Sequence, residues 1–115
     1  MATKQQLDLT LINGYLEVLD LNVIQQMLDL YIQQSALYIN AIETAVVDKD
    51  QKAWQEQCHK MKGSAASAGL CQVHHKLIVI EKSTEDWQIK AEQSRSLTLL
   101  NQEAIETFQL WLAGQ

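Results

Sequence analysis

Gln51-Lys52-Ala53-Trp54-Gln55-Glu56-Gln57-Cys58-His59-Lys60-Met61-Lys62-Gly63-Ser64-Ala65-Ala66-Ser67-Ala68 decides how this chain folds. At 100° per residue, Trp54, Cys58, Met61, Ala65 and Ala68 fall within about 40° of one line, a narrow apolar stripe that marks an amphipathic helix. His59 projects roughly 140° from that stripe, Gly63 about 180°, Ala66 about 120° and Lys62 about 80°. The imidazole therefore lies on the outer side, with a lysine beside it and small residues one and two turns further on. A glycine inside a helix costs about 1 kcal/mol against alanine. Gly63 is thus retained for some purpose other than helix stability.

The rest of the chain extends the helical pattern. Pro is absent and Gly occurs four times in 115 residues, too little turn punctuation for many short strands. A first helix is expected over about residues 5–19, interrupted or ended near Asn13-Gly14. A second should cover 22–34, capped by Asp20 or Asn22, with Val23, Met27, Leu30 and Tyr31 at core spacing. A third, 35–47, carries Tyr38, Ile39, Ile42, Ala45 and Val46, and either Asp48 or Asp50 can cap the stretch that follows. Gly69 is placed to end that stretch as a C′ glycine. Leu70, Val73, Leu77 and Ile80 mark a fifth helix. A last one, 86–112 with a weak middle, has Leu97, Leu100, Ala104, Phe108 and Trp111 in register. The expected fold is all-α: an antiparallel up-down four-helix bundle with one or two short additional helices.

Composition narrows the function classes. The chain is 47% hydrophobic and 20% charged, an ordinary globular mix and a length suited to one domain over 1–115. A formal charge of −5 argues against nucleic acid as a partner. The longest apolar run, Leu77-Ile78-Val79-Ile80, falls far short of the ~20 residues that cross a bilayer. No signal-type apolar segment begins the sequence. A cytoplasmic, monomeric domain without direct membrane contact is expected, either alone or as the cytoplasmic part of a membrane-anchored sensor kinase. Cys58 and Cys71 form no C-x-x-C and read as reduced packing residues.

An exposed His with Lys at i+3 and Gly at i+4 suits a phosphate carrier. The ammonium can approach phosphate oxygens, and Gly63 and Ala66 leave the ring uncovered. The same spacing also fits a plain surface histidine with a close-packing glycine, and periodicity does not separate the two. Cys71, His74 and His75 at i, i+3 and i+4 invite a Zn²⁺ reading with Cys58, but Cys58 falls in the core stripe and no paired ligand spacing exists, so no metal site is expected. Trp54 and Trp111 read as core, Trp87 as open.

The string His59-Lys60-Met61-Lys62-Gly63-Ser64-Ala65-Ala66-Ser67-Ala68-Gly69-Leu70 resembles the signature of histidine-containing phosphotransfer (Hpt) domains, roughly His-x-x-Lys-Gly-[Ser/Ala]-[Ser/Ala]-x-x-x-Gly. Every fixed position is met, and the resemblance covers about residues 8–112. Ala68 and Leu70 depart from the common residues and touch packing alone. The resemblance implies that His59 is the phosphoacceptor, modified on Nε2, that Lys62 steadies the phosphate, and that Gly63 gives a partner access. It implies a phosphocarrier in two-component signalling rather than an enzyme. Its partners would be response-regulator receiver domains, and a sensor kinase where the two are covalently linked. Mg²⁺ would come with the receiver, and the chain would need no cofactor of its own. The docking surface is expected around Gln55, Glu56, Lys60, Gly63, Ala66 and Ser67 with the adjoining helix. A receiver-binding adaptor that carries no phosphate is the alternative, against which the intact His59 stands. A histidine-kinase dimerisation domain fits less well, since Lys60 rather than an acidic residue follows His59.

Overall fold

A computed structural model describes residues 5–115. Five helices follow one another: α1 (Leu9–Val18), α2 (Leu21–Asp48), α3 (Gln51–Ser67), α4 (Cys71–Glu81) and α5 (Trp87–Ala113). Aspartates start four of them. Asp8, Asp20, Asp50 and Asp86 each accept from the backbone N–H three residues on, at 3.0–3.1 Å. Each such cap is worth about 1 kcal/mol. The alternatives left open by the sequence resolve to Asp20 and Asp50.

Helices α2 to α5 pack in a ring, α2 on α3, α3 on α4, α4 on α5 and α5 back on α2. Short turns reverse the chain between them, so the all-α antiparallel bundle is as expected, with α1 as its one additional helix laid against α2. Trp54, Cys58, Met61, Ala65, Leu70, Val73, Leu77, Ile80, Leu97 and Ala104 are fully buried along the axis, matching the stripes read for three helices. Trp54 also donates its indole N–H to the Ile80 carbonyl at 2.9 Å. Its ring meets Trp87 edge-on, with centroids 6.3 Å apart, so Trp87 belongs to the packing.

Three expectations are corrected. The segments 22–34 and 35–47 form the single helix α2. Nothing breaks the chain at Ser35: its side chain turns inward and is buried, where it accepts from the Asn101 amide at 3.1 Å. The N-terminal part of α2 is also rotated from its expected register. Ile24 and Leu28 join Tyr31 in the core while Leu30 is 54% exposed, because this stretch carries apolar residues on two adjoining faces. Finally, α1 begins at Leu9 and continues through Gly14. Leu7 instead forms an isolated antiparallel bridge with Leu70, which holds the start of the described chain against the α3–α4 turn.

That turn fixes the site. Gly69 adopts φ 75°, the left-handed conformation that glycine takes without penalty. The Leu70 N–H reaches back to the Ala65 carbonyl at 3.0 Å and the Gly69 N–H to Ala66 at 3.1 Å. These two bonds are the Schellman pattern. The reversal lays α4 antiparallel along α3.

Candidate functional site

His59 lies on the flank of α3 with its side chain 71% exposed. Its Nδ1 is 3.2 Å from Oε1 of Glu81, the last residue of α4. Lys62, one turn on, places Nζ 3.0 Å from Oε1 and 3.2 Å from Oε2 of the same carboxylate. Glu81 is only 14% exposed. Burial pushes its carboxyl upward, but the bonds and charges of Lys62 and His59 outweigh that and hold it below the ordinary range. An ionised carboxylate therefore links the imidazole to the ammonium.

Gly63 faces open solvent, and a β-carbon built there would meet nothing within 4 Å. Among the described residues no neighbour requires a glycine at that position, which removes the close-packing explanation. The missing side chain leaves free space for something outside the chain.

The remaining predicted residues divide into groups. Gln55, Glu56, His59 and Lys60 border one open hollow of about 370 Å³ together with Glu81 and Lys82. Ala66 is exposed on the α4 side, beside a smaller recess it shares with Gly69 and His74. Ser67 borders a different recess with Leu30 and Gln34 of α2, and its carbonyl accepts from the Tyr15 hydroxyl at 2.8 Å. The expected docking residues thus form a band on α3 rather than one pocket. Glu81 largely cancels the charge of Lys62, leaving Lys60 and Lys82 as the exposed cations around the hollow.

Sequence reading missed Glu81. A usable signal was present: in an antiparallel hairpin, residues equidistant from the turn lie side by side. His59 is eleven residues before Leu70 and Glu81 eleven after. Cys58, behind the imidazole, is fully buried, and burial reinforced by the Glu81 charge pushes its thiol up to about 12. It stays protonated and unreactive. Cys71 donates its thiol proton to the Gln5 carbonyl at 3.1 Å. Among the described residues, no three His, Cys, Asp or Glu side chains converge as a metal set would. No helix among them is long and apolar enough to cross a membrane.

The helical bundle agrees with the comparisons. The model of the Hpt domain family matches residues 26–109, and the chain belongs to that family. Its structure superposes on the histidine-containing phosphotransfer domain of ArcB from Escherichia coli with a TM-score of 0.83. The two are 23% identical over 95% of this chain and 94% of the other, so that likeness speaks for the fold. No curated protein matches the chain. Family membership assigns it a phosphotransfer role in two-component signalling, as a carrier module rather than a catalyst.

Proposed function

We propose that His59 accepts a phosphoryl group on Nε2 from a receiver-domain aspartate and returns it to another receiver. One observation carries the reading: an exposed imidazole has its inner nitrogen, Nδ1, tied to an ionised carboxylate. A carboxylate only accepts, so Nδ1 carries the proton and Nε2 keeps its lone pair directed outward. Nε2 then attacks phosphorus. The P–O bond to the aspartate breaks, the carboxylate leaves, and the new N–P bond puts positive charge on a ring whose Nδ1–H faces Glu81. In the return step the incoming aspartate oxygen takes the phosphorus and the ring recovers its neutral Nδ1–H form.

Lys62 is shared in this scheme. Before transfer it neutralises Glu81; a phosphoryl group on the neighbouring ring competes for the same ammonium. Mg²⁺ is brought by the receiver, and this chain supplies an oriented nucleophile and a cation. The space left by Gly63 admits the receiver surface, and Gln55, Glu56, Lys60, Ala66 and Ser67 line its approach. The chain functions as one Hpt unit, on the cytoplasmic side, with receivers as its partners.

The test is incubation with a receiver labelled at its aspartyl phosphate. The chain should take up one label, lost in acid and retained in alkali. His59→Gln should abolish uptake without altering the helical circular-dichroism spectrum. Label that persists in this variant disproves the assignment.

A further inference from the structure

The side of the ring away from His59, between α2 and α5, carries a trough of about 500 Å³ that phosphotransfer does not use. Its walls are apolar, with Ile32 and Ile39 from α2 and Ile105 from α5. Its floor contains the buried amide of Asn101. Tyr31 donates to Asn101 Oδ1 at 2.6 Å, and Asn101 Nδ2 donates to Ser35 at 3.1 Å. That leaves the amide one N–H and one lone pair to offer.

The charged residues bordering the trough are Glu43 and Glu106. Among the described residues neither is in an ion pair. Asn101 bonds to both Tyr31 and Ser35, which sets it level with their midpoint. In an antiparallel pair Glu43 then lies ten residues to one side of that level and Glu106 five to the other. At 1.5 Å per residue the two acids are roughly 22 Å apart along the axis. Glu43 also borders a second recess, of about 180 Å³, together with Ser94 and Arg95. Ser94 is 3% exposed and its hydroxyl oxygen has no hydrogen-bond partner. A buried unsatisfied hydroxyl costs about 1–3 kcal/mol, and an incoming donor would satisfy it.

We infer that the α2–α5 trough is a second docking site, for a partner helix with an apolar stripe between two basic residues about fifteen positions apart. Its apolar side chains lie along Ile32, Ile39 and Ile105. One terminal ammonium meets Glu106. The other donates to Glu43 and to the Ser94 oxygen. Because α2 and α5 form the side of the ring away from the α3–α4 flank, such a partner and a receiver at His59 can be bound together.

The probe is a synthetic amphipathic peptide with Leu at helical spacing and Lys at positions 2 and 17, added to the isotopically labelled chain. Saturable amide-shift changes should gather at Ser35, Ala36, Ile39, Asn101 and Ile105 and spare the α3–α4 flank. Glu43→Lys with Glu106→Lys should weaken binding about tenfold or more. Ser94→Ala should weaken it about threefold, on the scale of one lost hydrogen bond. Ala36→Arg, at an exposed position in the trough wall, should block it and leave phosphoryl uptake at His59 unchanged. Three results overturn the inference: no shifts at millimolar peptide, equal binding of a peptide with Glu in place of both Lys, or shifts confined to α3 and α4. Sedimentation of the unliganded chain as a dimer that Ala36→Arg converts to monomer would also overturn it, by giving the trough to a second copy.

Discussion

Glu81 has two partners whose needs differ, and substitution separates them. Glutamine keeps the shape but loses the charge. Its amide can accept from Nδ1–H or donate to a bare Nδ1, so either ring tautomer fits. Glu81→Gln should therefore shift His59 toward the Nε2–H form, visible in the ¹⁵N shifts of the imidazole, and slow phosphoryl uptake about three- to tenfold. An unchanged tautomer ratio would show that Glu81 is not what orients the proton. The carboxyl also makes a signed contribution to stability. Its folded pKa is lowered, so that contribution is present above the unfolded value near 4.5 and is lost as pH falls through the folded one. Denaturant midpoints should drop less steeply in acid for Glu81→Gln than for the parent.

Gly63 offers a second test at this scale, because stability and transfer should move in opposite directions. The position is helical and a β-carbon there touches nothing. Gly63→Ala should raise stability by about 0.5–1 kcal/mol with transfer nearly intact. Gly63→Leu should also stabilise the helix, yet cover the approach to the imidazole and slow transfer from a receiver by an order of magnitude or so. A Leu variant that transfers at the parent rate would show that open space at this position has no role.

Among the helices, the α3–α4 turn does most to assemble the site, since it brings Glu81 alongside His59. Gly69 is bound there both by φ 75° and by contact: a β-carbon would lie 2.9 Å from Ile12 Cγ1 of α1. Gly69→Ala should cost about 2 kcal/mol, from the left-handed penalty and the displaced isoleucine, and urea unfolding measures it directly. The outward His59, the Gly69 stop and the stripes of α3, α4 and α5 were legible because each depends on spacing within one helix. The continuity of α2 was not, since Ser35 has the chemistry of a helix start, whereas here its hydroxyl donates to the Ile32 carbonyl at 3.2 Å and accepts from the Asn101 amide across the seam. Glu81 was missed for a related reason. Its role depends on a contact between helices, which periodicity along one helix does not report.

At the scale of the molecule, two buried acids give the bundle a shared sensitivity to alkali. The Cys58 thiol sits between α3 and the core, and burial with the nearby Glu81 charge pushes it from 9.0 to about 12. The Tyr31 phenol spans the α2–α5 seam to Asn101 and is raised by burial above its ordinary 10.0. In both, the folded chain holds a proton that the unfolded chain releases first. Their contribution is therefore full below the unfolded values, and stability falls as pH rises past about 9 for the thiol and 10 for the phenol. Cys58→Ala and Tyr31→Phe should each flatten the alkaline limb of a stability–pH curve, and the pair should flatten it further, as the sites lie in separate seams. At neutral pH, Tyr31→Phe should cost about 1–2 kcal/mol by leaving the Asn101 oxygen without its donor. The two effects have opposite signs at the two ends of the curve, so the parent and Tyr31→Phe curves should converge as pH climbs. Curves that stay parallel from pH 7 to 11 would mean that these protons are not held by the fold.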